Sequence, residues 1–78
     1  MNYVATFYTH AAALLTDRAL RKNGILSKLA PVPRELSSSC GTCVRYAADD
    51  PCFDLLDRDV EQVTEEGETG YRVIRKYD

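Results

Sequence analysis

The chain has 78 residues, 45% of them apolar and 28% charged, with a formal net charge of −2 and a pI near 5.3. That composition belongs to an ordinary globular protein; it excludes collagen-like, disordered and membrane classes, and supplies no overall basic field for nucleic acid. One domain over residues 1–78 is expected, with a thin core, because folding at this size hides only about 60% of the surface an unfolded chain exposes.

The N-terminal run Met1-Asn2-Tyr3-Val4-Ala5-Thr6-Phe7-Tyr8 has no basic leader followed by an unbroken apolar stretch. Nor does any run approach the roughly 18 apolar residues of a membrane span, so a cytoplasmic location without a membrane partner is the expectation. Three cysteines, Cys40, Cys43 and Cys52, are an odd number. In a chain without a secretion signal this points to reduced thiols rather than a disulfide framework.

Tyr3 to Tyr8 alternates aromatic and β-branched residues and predicts a half-buried strand. Thr9 can cap a helix with Ala11, Ala12, Leu14, Leu15 and Ala19 as its apolar stripe, Arg21 and Lys22 in its last turn, and Asn23-Gly24 as its stop. Ile25 to Ala30 reads as a second strand, ended by Pro31-Val32-Pro33. Thr42 to Ala47 reads as a third, with Val44 and Tyr46 on one face and Cys43 and Arg45 on the other.

Asp49 or Asp50 then caps a second helix with Pro51 at its first position, Phe53, Leu56, Val60 and Val63 facing the core, and Asp54, Asp57, Asp59, Glu61 and Glu65 in water. Gly67 or Gly70 stops it, and Tyr71 to Tyr77 supplies a last strand. The order β-α-β-β-α-β predicts an α+β, ferredoxin-like domain, a four-stranded antiparallel sheet with both helices on one face. Its other face stays partly apolar, which makes a symmetric homodimer the simplest expected assembly.

In that arrangement Pro31 to Gly41 is a hairpin connection of eleven residues, where two to five are usual. It holds the candidate chemistry. Cys40 follows Ser37, Ser38 and Ser39, precedes Gly41, and lies between Arg34 and Arg45. The thiolate is the reactive form of cysteine, and nearby cations, hydroxyl donors and free N–H groups favour it. Small neighbours let another protein reach the sulfur, and Gly41 permits a turn that a larger residue resists.

Cys43 completes a Cys-x-x-Cys pair, a spacing used by dithiol redox sites and metal sites alike. A closed zinc site needs two more ligands, and the single histidine, His10, is distant in sequence, so no metal is expected. His10 reads as a helix-start residue that meets the cysteine loop only if strand ends bring the two together. Cys52 reads as a packing or surface thiol. No acid-base pair, phosphate loop or hydrolase motif is present, and no cofactor is expected.

The run Tyr3 to Tyr8, followed by a helix and by Leu29-Ala30-Pro31-Val32-Pro33-Arg34-Glu35-Leu36-Ser37-Ser38-Ser39-Cys40-Gly41, resembles the small bacterial family of selenium/sulfur carrier-like proteins. The resemblance implies that Cys40 holds a persulfide or selenosulfide, that Arg45 matches the family's arginine, and that a cysteine desulfurase or selenium-pathway protein is the partner. Cys43 is not a general feature of that family, so a resolving role for it rests on spacing alone. A non-enzymatic carrier of sulfur or selenium on Cys40 is therefore the leading reading. The alternative is a soft-metal or dithiol redox module using Cys40 and Cys43, since thiolates suit copper(I).

Overall fold

A computed structural model describes residues 1–77. It contains β1 (Asn2–Phe7), α1 (His10–Lys22), β2 (Leu26–Pro31), β3 (Thr42–Ala47), a single 3₁₀ turn (Phe53–Leu55), β4 (Val60–Gly67) and β5 (Gly70–Lys76). The sheet order is β2-β3-β1-β4-β5, with every neighbouring pair antiparallel. β3 inserts between β1 and β2, the strands that α1 connects, so the crossover skips one position as a split β-α-β unit does. The expected count of four strands and two helices is corrected to five strands and one helix among the described residues.

The first half follows its local signals. Thr9 Oγ1 accepts the Ala12 N–H at 3.1 Å and caps α1. At the other end Ile25 N–H bonds to Leu20 O at 2.9 Å and Gly24 N–H to Arg21 O at 3.0 Å, a Schellman stop with Gly24 at φ +76°.

The buried face of α1 is not the expected stripe. Ala12, Ala13, Thr16, Asp17 and Leu20 are buried, while Leu14 and Leu15 are 39% and 54% exposed on the opposite side. Small residues let the helix sit close to the sheet, and two polar groups fix it there. Asp17 accepts from Ser27 Oγ of β2 at 2.6 Å, and Thr16 Oγ1 accepts the Asp57 N–H at 2.9 Å. The core beneath combines Tyr3, Ala5 and Phe7 of β1, Val44 and Tyr46 of β3, and Val60 and Val63 of β4.

The second helix fails for local reasons. Asp50 does accept a backbone N–H, from Cys52 at 2.8 Å, but the turn that follows has no side-chain cap and lasts only from Phe53 to Leu55. Asp57 then takes the Asp59 N–H on its own side chain at 3.0 Å and the Val60 N–H on its carbonyl at 3.1 Å. Aspartates that bond their own backbone favour turns over helix, and Val60, Val63 and Thr64 favour strand.

The three-residue spacing of Val60 and Val63, which looks helical, comes from a bulge. Phe7 pairs with Val60 and Thr6 with Gln62, so Glu61 is an extra residue and both valines reach the same face. Tyr71 to Tyr77 is a strand largely as expected, but it forms a hairpin with β4 at the sheet edge and pairs as a fifth strand.

No helix of the described residues is long and apolar enough to cross a membrane. The face opposite α1 is closed by polar side chains. Arg45 of β3 reaches across β1 to Glu66 Oε1 of β4 and Tyr71 Oη of β5, at 3.1 Å each, and Val4, which pairs with Arg45, is fully buried.

Candidate functional site

Residues 32–41 form a closed loop between the antiparallel strands β2 and β3. Its neck is the Val32 N–H to Gly41 O bond at 3.1 Å, and a turn closed by Leu36 N–H to Pro33 O at 3.0 Å shapes its first half. A hairpin this long has room to leave its own strands. From β3 the loop passes the end of β1, where Ser38 Oγ lies 3.2 Å from Phe7 O, and reaches β4. That path covers two strand spacings, about 10 Å, which a tight turn cannot span.

On β4 the serines meet Glu61. Ser38 Oγ donates to Glu61 Oε1 at 2.9 Å, Ser39 Oγ donates to Oε2 at 2.8 Å, and the Ser39 N–H is shared between both oxygens at 3.3 Å. Gln62 Nε2 adds a bond to Ser37 O at 3.2 Å. Burial by itself would raise the Glu61 carboxyl, but the bonds from Ser39 Oγ, Ser38 Oγ and Ser39 N–H outweigh it and hold the group below its ordinary range. Thr6 Oγ1, fully buried beside this carboxylate, adds to the lowering although it makes no well-aligned hydrogen bond.

Cys40 therefore sits between two fixed residues. Ser39 is held by Glu61, and Gly41 is held by the loop neck with φ +75°, a left-handed conformation that favours glycine. The Cys40 side chain is half-buried, and its Sγ lies 3.5 Å from Thr42 O. The strand ends do bring His10 here. Its Nδ1 is 3.0 Å from Thr42 Oγ1, which ties the start of α1 to the residue two positions beyond Cys40.

Cys43 is fully buried on β3, opposite Thr6 and Ala30, on the same sheet face as Arg45. Its S–H donates to Pro31 O at 3.5 Å. Burial pushes this thiol up, the Arg45 guanidinium pulls it down, and a charged Cys40 pushes it up again, with a net rise.

The remaining candidates lie apart from this thiol. Ser38 and Ser39 direct their hydroxyls to Glu61, so their visible work is anchorage. Arg34 is exposed and makes no ion pair or side-chain hydrogen bond among the described residues, and Arg45 is committed to Glu66 and Tyr71. Cys52 occupies the 3₁₀ turn after β3, in a left-handed conformation at φ 55°. Burial and the neighbouring Asp50 push its thiol up. A groove of about 520 Å³ at the other end of the sheet is lined by Asn2, Leu26, Lys28, Arg45 and Glu66 among others and by no cysteine. No cluster of three or more metal-ligating side chains occurs among the described residues.

Sequence reasoning missed Glu61, which the helical reading left in solvent. The signal was present further on. Val60, Val63 and Thr64 precede Gly67-Glu68-Thr69-Gly70 and the alternating Tyr71-Arg72-Val73, a hairpin pattern that makes residue 61 part of a strand.

Fold and loop together define a small α+β protein with one half-buried thiol held at the end of its sheet. The family model described as "Putative Se/S carrier protein-like" matches residues 2–56, well over half of the chain, and the chain belongs to that family. No curated protein and no solved structure matches it significantly.

Proposed function

We propose that the protein carries sulfur or selenium as a persulfide or selenosulfide on Cys40. The observation that supports this most is the treatment of the three thiols. Cys43 is buried and raised, Cys52 is raised by burial and a neighbouring carboxylate, and Cys40 alone lies in a loop held before it by Glu61 of β4 and after it by the loop's own neck. Family membership agrees with the cargo.

In the proposed step the Cys40 thiolate attacks the outer sulfur of a donor persulfide. The donor S–S bond breaks, its electron pair stays on the donor thiolate, and the new S–S bond forms on Cys40. Passing the sulfur to an acceptor thiolate repeats the exchange, so no external oxidant or reductant enters. The donor proposed is a cysteine desulfurase, or the corresponding selenium-pathway protein.

Incubation with a cysteine desulfurase and ³⁵S-labelled cysteine tests the reading directly. Label is expected on Cys40, sensitive to reductant, and absent from Cys40→Ala with the fold intact by circular dichroism. Undiminished labelling of Cys40→Ala would overturn it.

Self-association through the face opposite α1 is part of the same proposal. Because Arg45, Glu66 and Tyr71 close the centre of that face, contacts have to form over the exposed Leu26 and Val73 on the two edge strands. Sedimentation equilibrium at micromolar concentrations is expected to show a mass above 8.8 kDa; a constant monomer mass excludes the homodimer.

A further inference from the structure

We propose that Glu61 is a positioning residue for the Cys40 thiol, fixing the loop in the geometry from which sulfur or selenium is transferred. The inference rests on the carrier reading above. It adds a residue that lies outside the matched segment 2–56 and that no motif in the loop itself indicates.

Three observations carry it. The first is convergence. Three donors from two consecutive loop residues, Ser38 Oγ, Ser39 Oγ and Ser39 N–H, end on one carboxylate, at 2.8 to 3.3 Å. Hydrogen bonds to an ionised acceptor are about twice as strong as neutral ones, so this contact outweighs the loop's other single bonds.

The second is the way the side chain is aimed. Glu61 is the extra residue of the β4 bulge, the place where Phe7 pairs with Val60 and Thr6 with Gln62. Bulges re-aim a side chain that regular alternation would send elsewhere. Here alternation is broken at the residue whose carboxylate meets Ser38 and Ser39, while Val60 and Val63 keep their core positions.

The third is the place of the clamp relative to the sulfur. It ends on Ser39, one residue before Cys40, and the loop neck holds Gly41, one residue after. Without the first anchor, the segment 33–40 is held on the sheet side mainly by Gln62 and the Phe7 carbonyl. A thiol fixed on both sides loses little freedom on reaching a reactive geometry, whereas one fixed on a single side must be ordered at each encounter.

The test compares wild type, Glu61→Ala and Glu61→Gln, together with Ser38→Ala/Ser39→Ala, which removes two of the donors without touching β4. Backbone amide exchange of Ser39 and the rate of Cys40 alkylation by limiting iodoacetamide are read on protein whose fold is checked by circular dichroism. Glu61→Ala is expected to speed Ser39 exchange by roughly tenfold or more and to raise the Cys40 alkylation rate severalfold. Glu61→Gln, which keeps one acceptor oxygen, falls between. The serine pair also raises Cys40 alkylation, and combining it with Glu61→Ala adds only what the Ser38 Oγ contact with Phe7 O contributes, since the Glu61 contact is common to both changes.

Sulfur transfer from the desulfurase is expected to slow in Glu61→Ala although the thiol is more accessible to the small reagent. That opposition separates positioning from plain exposure. Unchanged Ser39 exchange in Glu61→Ala, or effects of the serine and glutamate changes that simply sum, would overturn the proposal. If exchange and alkylation respond as expected while wild-type Cys40 never accepts label, Glu61 still orders the loop and it is the carrier reading that fails.

Discussion

Cys40 and Cys52 occupy two irregular turns, both half-buried, and each sulfur lies against a backbone carbonyl two residues away, Thr42 O at 3.5 Å and Asp50 O at 3.3 Å. Their surroundings differ. Cys40 has serines before it, a glycine after it, an anchor from Glu61 of β4 on one side and the loop neck on the other. Cys52 follows an acidic pair, has Asp50 bonded to its own N–H, and stands itself in the left-handed conformation that Gly41 takes on behalf of Cys40. Exposure alone does not separate the two thiols. The carboxylate beside Cys52 and the way each backbone is held do.

The largest effect expected from this comparison is in alkylation at limiting reagent and neutral pH, with Cys40 labelled first and Cys43 last. Burial raises the Cys52 thiol and Asp50 adds to it through its hydrogen bond and its charge, so Asp50→Asn should bring that thiol part of the way down and speed its labelling, leaving Cys40 unchanged. Peptide mapping reads both. Labelling of Cys52 ahead of Cys40 in the wild type breaks the distinction.

A second test uses acid. The Glu61 carboxyl is depressed in the folded protein, so its contribution to stability is fully present above the unfolded value, about 4.3, and is lost as pH falls through the lower folded value. Loop resonances of Ser38 and Ser39 are expected to titrate below about pH 4.3. Serine resonances that stay unmoved as the pH falls through that range contradict the clamp.

The smallest effects come from the backbone. A Cβ at Gly41 meets nothing within 4 Å, so Gly41→Ala tests conformation rather than crowding, at a cost of about 1 kcal/mol. Cys52→Gly relieves the left-handed strain at φ 55° and is expected to stabilise by up to about 1 kcal/mol. Urea midpoints measure both; equal signs for the two changes undo the comparison.

Much of the site was legible because its signals are local. Thr9, Gly24 and the prolines at 31 and 33 mark ends of elements, and the serine-cysteine run stands in a connection too long for a simple hairpin. What was not legible depends on strand pairing. The Val60 and Val63 spacing is ambiguous between a helix and a bulged strand until β1 supplies the register, and Glu61 becomes a site residue only through that register. The exposure of Leu14 and Leu15 has the same origin. The apolar count of α1 suits two faces, and the sheet takes the one where Ala12, Ala13 and Leu20 are joined by the Thr16 and Asp17 hydrogen bonds.

The central claim, that Cys40 and not another thiol holds the cargo, is tested most directly by intact and peptide mass spectrometry of the protein purified from its host without reductant. The expected result is an adduct of about 32 mass units for sulfur or about 80 for selenium, confined to the Cys40 peptide and removed by reductant. An adduct confined to the Cys52 peptide contradicts the account.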